Sequence, residues 1–353
     1  MHRKVSVLAV GPVLTAALVL TAAACGSGQS GASSGSSGTG QTAFKAKASQ
    51  KITIGYSSPV AAQPPQQQLY QGIEEAAKSL GWTPELFDAD LSPGTQVSNI
   101  QTMIQQQVGA MASYTLDPGA TEGAYSQAES AGIPVTGINS SGAGITASVW
   151  FEADTCHPGG PMEREAREIA RNKPGARVII ITYAGVPSID EYTQCFATAA
   201  KAAGLTVLAT VTDSSDNSSG AAQLTAELLT KYPGVNAFWD YDDSAAEGAS
   251  SAVLAAGKKI MSGPGTQGIQ VWGNSADAAG IAALRQGRLT GTLDLNTLAT
   301  GWAAVELMRD LLSGKKVASI TVSSDIVDTS NVGGFVNPLQ RKVTFATIPV
   351  ASS

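Results

Sequence analysis

The groups able to do chemistry in this 353-residue chain are mostly carboxylates, amides and phenols gathered in short polar segments. The densest is Asp240-Tyr241-Asp242-Asp243, while Asp213 and Asp216 stand in a Ser/Asn/Asp run, and Asn139, Ser275, Asp294 and Asn296 mark others. Gln63, Gln66, Tyr114 and Tyr192 add further donors and acceptors. Such groups hydrogen-bond a small polar solute, and paired acids also hydrolyse glycosides. The rest of a catalytic apparatus is missing. Apart from His2 the sole histidine is His157, and no Gly-x-Ser-x-Gly elbow precedes a predicted helix, which argues against a Ser-His-Asp triad. Gly55-Tyr56-Ser57-Ser58-Pro59-Val60 lacks the Gly-x-Gly-x-x-Gly of a dinucleotide site. Cys156-His157 offers too few ligands for zinc. The residues therefore read as a binding protein, with no enzyme activity, no cofactor and no metal.

Composition narrows the ligand. Charged residues make up only 14%, with 22 Lys and Arg against 28 Asp and Glu, so no basic surface exists to neutralise phosphates and nucleic acid is excluded as a partner. The apolar fraction of 43% supports a full core.

At the amino terminus, His2, Arg3 and Lys4 precede an apolar run over 5–20, and Thr21-Ala22-Ala23-Ala24 leads into Cys25. A bilayer-spanning helix needs about 20 uninterrupted apolar residues. This run is shorter and is broken by Gly11-Pro12, so 1–24 reads as an export signal. It resembles the signal of a bacterial lipoprotein, in which cleavage exposes the cysteine and lipid is attached to its thiol; plain secretion is the alternative. Residues 25–50, dominated by Gly and Ser up to Gly40, bury too little apolar surface to fold and form a flexible tether with a reach of about 25 Å. The expected location is the outer face of the cell membrane, held by the lipidated Cys25. In that oxidising setting Cys156 and Cys195 are left as an even pair, for which a disulfide is expected and two buried thiols are the alternative.

The polar segments need a frame. From 51 onward, β-rich runs alternate with amphipathic helical stretches: strands over 52–56, 83–87, 110–114, 133–138, 178–182, 206–211, 236–239, 269–272 and 289–293, with helices between them. In the first helix, over 66–80, Leu69, Ile73, Ala76, Ala77 and Leu80 form one apolar face. Strands separated by helices imply parallel sheets with right-handed crossovers. A break over 149–158 divides them into two doubly wound α/β lobes. Such sheets bind ligands beyond the carboxyl ends of their strands, which is where the polar segments fall.

The order of motifs resembles the periplasmic sugar-binding proteins of ABC importers, typified by ribose-binding protein and related to the effector domains of LacI-type repressors. The residues that carry the resemblance are Gly72-Ile73-Glu74-Glu75-Ala76-Ala77-Lys78-Ser79-Leu80-Gly81-Trp82, Ala131-Gly132-Ile133-Pro134-Val135, Lys231-Tyr232-Pro233-Gly234-Val235-Asn236-Ala237-Phe238, and Ala282-Ala283-Leu284-Arg285-Gln286-Gly287-Arg288-Leu289-Thr290-Gly291-Thr292. The resemblance implies a type I periplasmic binding fold: two Rossmann-like lobes, 51–152 with 296–322 and 153–295 with 323–353, joined by three hinge crossovers. It also implies a monomer that closes over a solute and docks on ABC permease subunits. A sensing module that reports to a membrane receptor would use the same clamshell.

Against that family the cleft positions depart. Gln63-Pro64-Pro65-Gln66 replaces Asn-Pro-Phe-Phe, Asn139-Ser140 replaces an Asp-Arg pair, Tyr192 an arginine, and Asp242-Asp243 an Asn-Asp. Ser275 stands for an aspartate, and Asp294 and Asn296 flank Leu295 in place of a glutamine. The expected ligand-binding set is Gln63, Gln66, Tyr114, Asn139, Tyr192, Asp216, Asp242, Ser275, Asp294 and Asn296, with Asp243 as a helix cap. Tyr56, Trp150, Tyr192 or Trp239 supplies an aromatic face. With arginines lost and carboxylates gained, the set suits a sugar or polyol, or alternatively a cation.

Overall fold

The computed structural model describes residues 51–351, so Cys25 and the expected export signal lie outside the described residues. The first sheet holds β1 (Thr53–Ser58), β2 (Thr83–Asp88), β3 (Ala110–Tyr114), β4 (Val135–Ile138) and β5 (Ala147–Phe151). The second holds β6 (Arg177–Thr182), β7 (Thr206–Thr212), β8 (Ala237–Asp240), β9 (Gln270–Asn274) and β10 (Gly291–Asp294). Late in the chain, β11 (Ile320–Val322) joins the first sheet and β12 (Asp325–Asp328) the second. The strand orders are β11-β5-β4-β3-β1-β2 and β12-β10-β9-β8-β6-β7. Every pairing is parallel except that of β12 with β10.

Local sequence explains most elements. Proline occupies the first turn of α1 (Pro64–Ser79), α2 (Pro93–Gln105), α3 (Pro118–Ser130), α4 (Pro161–Asn172) and α5 (Pro187–Ala202), where its missing N–H costs nothing. Side-chain oxygens of Asn217, Asp242 and Asp277 cap α6 (Ser218–Lys231), α7 (Asp243–Ala255) and α8 (Ala278–Arg285). Central strands such as β3 and β6 are nearly continuous apolar runs because helices cover both faces, whereas the edge strands β2 and β7 are partly exposed.

Two strands depart from the expected alternation. β5 falls where a break was expected, and it pairs with β4 after only a short loop, with no intervening helix to announce it. β12 is antiparallel because β11 points into the cleft and passes straight to the second lobe, so the next strand runs away from the cleft.

Between β10 and β11, α9 (Thr297–Leu312) returns to the first lobe and crosses α1 at near backbone contact. A Cβ on Gly72 would strike the Leu298 carbonyl, and one on Gly301 would strike that of Leu69. The tail divides between lobes: Val332 and Phe335 pack in the second core, while Phe345 lies against Trp302 of α9 and Val350 bridges Val322. Among the described residues no helix is long and apolar enough to cross a membrane.

The three inter-lobe crossings lie side by side and are bonded to one another. The Glu152 carboxylate accepts the Ser324 N–H at 2.8 Å, Arg164 donates to the Ser324 carbonyl at 2.7 Å, and Asn296 donates to the Ser323 carbonyl at 2.7 Å. Cys156, just beyond the first crossing, is bonded to Cys195 of α5, with Cα atoms 5.3 Å apart. The bond closes a loop with a sequence separation of 39, for which chain entropy sets a stabilisation of about 4 kcal/mol. Reducing it is expected to lower urea-unfolding stability by about 2–4 kcal/mol. Identical midpoints with and without reductant would show that the bond contributes nothing.

Candidate ligand-binding cleft

Each sheet reverses its winding direction once, between β1 and β3 in the first and between β6 and β8 in the second. The carboxyl ends of these strands face each other, and their loops wall a cleft of about 780 Å³ counted out to its solvent mouth. The first lobe supplies Gln63, Gln66, Tyr114, Leu116 and Phe151. The second supplies Tyr183, Tyr192, Asp216, Tyr241, Asp242 and Asn274. Asp154 and Leu295 enter from the crossings.

The lobes touch across the cleft. Gln63 donates its amide to the Asp216 carbonyl at 2.8 Å and to its carboxylate at 3.1 Å, and the Tyr114 and Ser188 hydroxyls share a hydrogen bond of 2.9 Å. Asp216 also accepts from the Tyr241 hydroxyl, and Gln66 accepts from the Tyr56 hydroxyl at 2.6 Å. Asn274 donates to the Asp240 carbonyl at 2.7 Å. Two fully buried acceptors of lining residues have no hydrogen-bond partner among the described residues: Asp154 Oδ2 and Asn274 Oδ1.

Of the expected set, Gln63, Gln66, Tyr114, Tyr192, Asp216 and Asp242 line the cleft, and Asn139, Ser275, Asp294 and Asn296 do not. Asn139 accepts the Phe151 N–H at 2.7 Å and has φ of 46°, a left-handed backbone that asparagine tolerates. Asn296 has φ of 52° and accepts from Arg341 at 2.5 Å, and Asp294 pairs with the same arginine at 2.5 Å. These two brace the second crossing. Ser275 is buried behind the lining, its hydroxyl without a partner among the described residues.

Roles within the acidic segment also differ from expectation. Asp242 both lines the cleft and caps α7, accepting the Ala245 N–H at 2.7 Å. Asp243 turns inward to accept from Thr292 at 2.5 Å and from the Asp277 N–H at 3.0 Å. Trp239 is core: its indole donates to Glu165 at 2.9 Å and its ring stacks on Phe196 at 4.3 Å. Tyr192 lies between Trp239 and the cleft. Tyr183 and Asp154 were not singled out from sequence, although Tyr183 follows a strand in the expected way; Asn274 heads the post-strand polar segment that Ser275 marks. Asp154 had no such signal, since it sits on a crossing between lobes.

The site is acidic. Among the described residues no lysine, arginine or histidine lines it. Burial pushes Asp242 up to about 8, with Asp216, Asp277 and Asp213 adding repulsion. Burial and then Glu191 hold Asp154 well above the usual carboxylate range. Burial also raises Asp216, although bonds from Tyr241 and Gln63 oppose it. Among the described residues no three His, Cys, Asp or Glu side chains converge as metal ligands would. The arrangement can bind and enclose a small molecule carrying hydrogen-bond donors, with rings to lie against its carbon frame.

A family model described as periplasmic binding protein domain matches residues 54–316. The chain is 27% identical over 283 residues to the ribose import binding protein RbsB of Bacillus subtilis, covering 78% of this chain and 86% of that one. Among solved structures, a periplasmic solute-binding protein from Actinobacillus succinogenes with bound D-allose superposes with a TM-score of 0.72 at 21% identity, covering 81% of this chain and 100% of the other. The myo-inositol binding protein of Caulobacter, bound to myo-inositol, also gives 0.72 at 20% identity, covering 81% and 96%.

A carboxyl whose pKa is higher folded than unfolded makes the folded state bind the extra proton between the two values, so stability falls as pH rises through that window. For Asp242 the window runs from the ordinary value of 3.8 to about 8. The ligand-free protein is expected to melt at a lower temperature at pH 8 than at pH 5. Asp242→Asn, which keeps an N-cap oxygen, is expected to raise the pH 8 value and flatten the slope. A melting temperature that is level or rising over this range would show Asp242 ionised in the fold.

Proposed function

Because the chain belongs to the periplasmic binding protein domain family, whose members are exported solute-binding proteins and not enzymes, we propose that it captures a small polyhydroxyl solute, a sugar or polyol, and delivers it to the permease of an ABC importer. The observation that carries this reading is the cleft walled by both lobes, with Gln63–Asp216 and Tyr114–Ser188 bonded across it. A solute touching both walls lowers the free energy of the closed form relative to the open one, and the permease then reads closure. Tyr114, Phe151, Tyr183 and Tyr192 offer ring faces to the C–H face of a sugar, while Gln63, Asp216, Asp242 and Asn274 meet its hydroxyls. The relatives named above, one concerned with ribose import and others solved with D-allose or myo-inositol, support this ligand class.

The moving bodies in this reading are 51–152 with 296–322 against 153–295 with β12, the final segment riding partly with α9. The protein acts as a monomer, held to the outer face of the cell membrane by lipid on Cys25, with 26–50 as its tether.

Binding is tested by thermal shift of the full-length protein with D-ribose, D-allose and myo-inositol. A ligand with Kd near 1 μM, present at 1 mM, stabilises by about 4 kcal/mol. Gln63→Ala removes a cross-lobe bond worth about 1 kcal/mol and is expected to weaken the best ligand about fivefold. Wild-type affinity in the folded variant would remove that bond from the closure mechanism. Anchoring is tested by Cys25→Ser, which is expected to abolish palmitate labelling and shift the protein from the membrane to the soluble fraction. Undiminished labelling would place the lipid elsewhere.

A further inference from the structure

The cleft leaves one chemical demand that a neutral solute does not meet. Asp154, Asp216 and Asp242 face it without a basic side chain in the lining. Their charged neighbours are acids too: Glu191 acts on Asp154, Asp213 on Asp216, and Asp216, Asp277 and Asp213 on Asp242. Asp216 is already served by the neutral donors Tyr241 and Gln63, and Asp242 by the Ala245 N–H. Asp154 is different. It is 6% exposed, lines the cleft, and keeps Oδ2 buried with no donor among the described residues.

The surroundings of Asp154 are aromatic. Tyr114 and Tyr192 line the same cleft, as does Phe151, three residues before it in the chain. Burial holds a proton on the free Asp154, and a cation that displaces it gains a charge-assisted bond to the carboxylate and the negative faces of the rings. An ammonium brings three donors and no acceptor, which suits the two buried lining groups without a partner among the described residues, Asp154 Oδ2 and Asn274 Oδ1, since both are acceptors. A hydroxyl supplies one donor and leaves the second of these acceptors unmet. A ligand carboxylate or phosphate would meet only repulsion.

We infer that the solute held in this cleft carries a protonated amine, as in an amino sugar or amino polyol, with its ammonium paired to Asp154 beside Tyr114 and Tyr192. The inference rests on the polyhydroxyl reading above and adds one substituent to it. Asp216, Asp242 and Gln63 remain available to the hydroxyls, so the amine end is assigned to the hinge side of the cleft.

Matched pairs test this by titration calorimetry on the full-length protein: D-glucosamine against D-glucose, D-galactosamine against D-galactose, and 1-amino-1-deoxy-D-sorbitol against D-sorbitol. The amine member of at least one pair is expected to bind tenfold or more tighter than its hydroxyl partner. Asp154→Asn, which keeps the shape and removes the charge, is expected to reduce that preference to below threefold. Equal or tighter binding of the neutral members overturns the inference and leaves the polyhydroxyl receptor standing. Failure of both members of every pair overturns the two together. An undiminished preference in folded Asp154→Asn overturns the pairing with Asp154.

Discussion

A parallel sheet covered by helices on both faces is open to solvent only at its edges and at the ends of its strands, and this constraint organises the molecule. The central strands are buried on both faces, so a ligand can reach them only at their ends. Functional side chains therefore collect at the carboxyl ends of the strands, as Tyr114, Phe151 and Asn274 do, and in the loops that follow, and at the winding reversals beside β1 and β6 those loops spread apart to leave a hollow. Two such sheets with their carboxyl ends opposed make one cleft. Neither lobe alone walls this cleft.

Opposition of the lobes depends on the crossings. Glu152, Asn296, Ser323 and Ser324 come from distant parts of the chain and satisfy one another's backbone and side-chain groups, with Arg164 and Arg341 braced against them. These bonds hold the three crossings together as a narrow strap, the arrangement that lets two rigid bodies rotate while little else changes. The disulfide ties the first crossing to α5 of the second lobe. At the other end, the glycine contact of α1 with α9 fixes the returning helix to the first lobe.

Some of the site was legible because strand ends and polar loops coincide. Gln63, Asp216 and Asp242 were found that way, and Pro64-Pro65 marks the start of α1 as plainly as any residue in the chain. The misplacements have a common cause. Asn and Asp are favoured both as ligand groups and as residues that tolerate a left-handed backbone or cap a helix, and residue type alone does not distinguish these uses. Asn139 and Asn296 occupy left-handed positions, and Asp294 faces an arginine 47 positions later in the chain. Asp154 was overlooked because it follows a strand that no helix announces.

The sequence by itself determined the alternation of elements, the two-lobed parallel architecture, the acidic and arginine-poor character of the loops, and the pairing candidates Cys156 and Cys195. Each of these is written in local pattern or in composition. Tertiary structure alone decided which carboxylates face the cleft, which brace the crossings, and that Asp154 stands without a donor among the described residues. The reason is physical: a carboxyl group's role is set by what lies within a few ångströms of it, and here those neighbours come from the other lobe or from far along the chain.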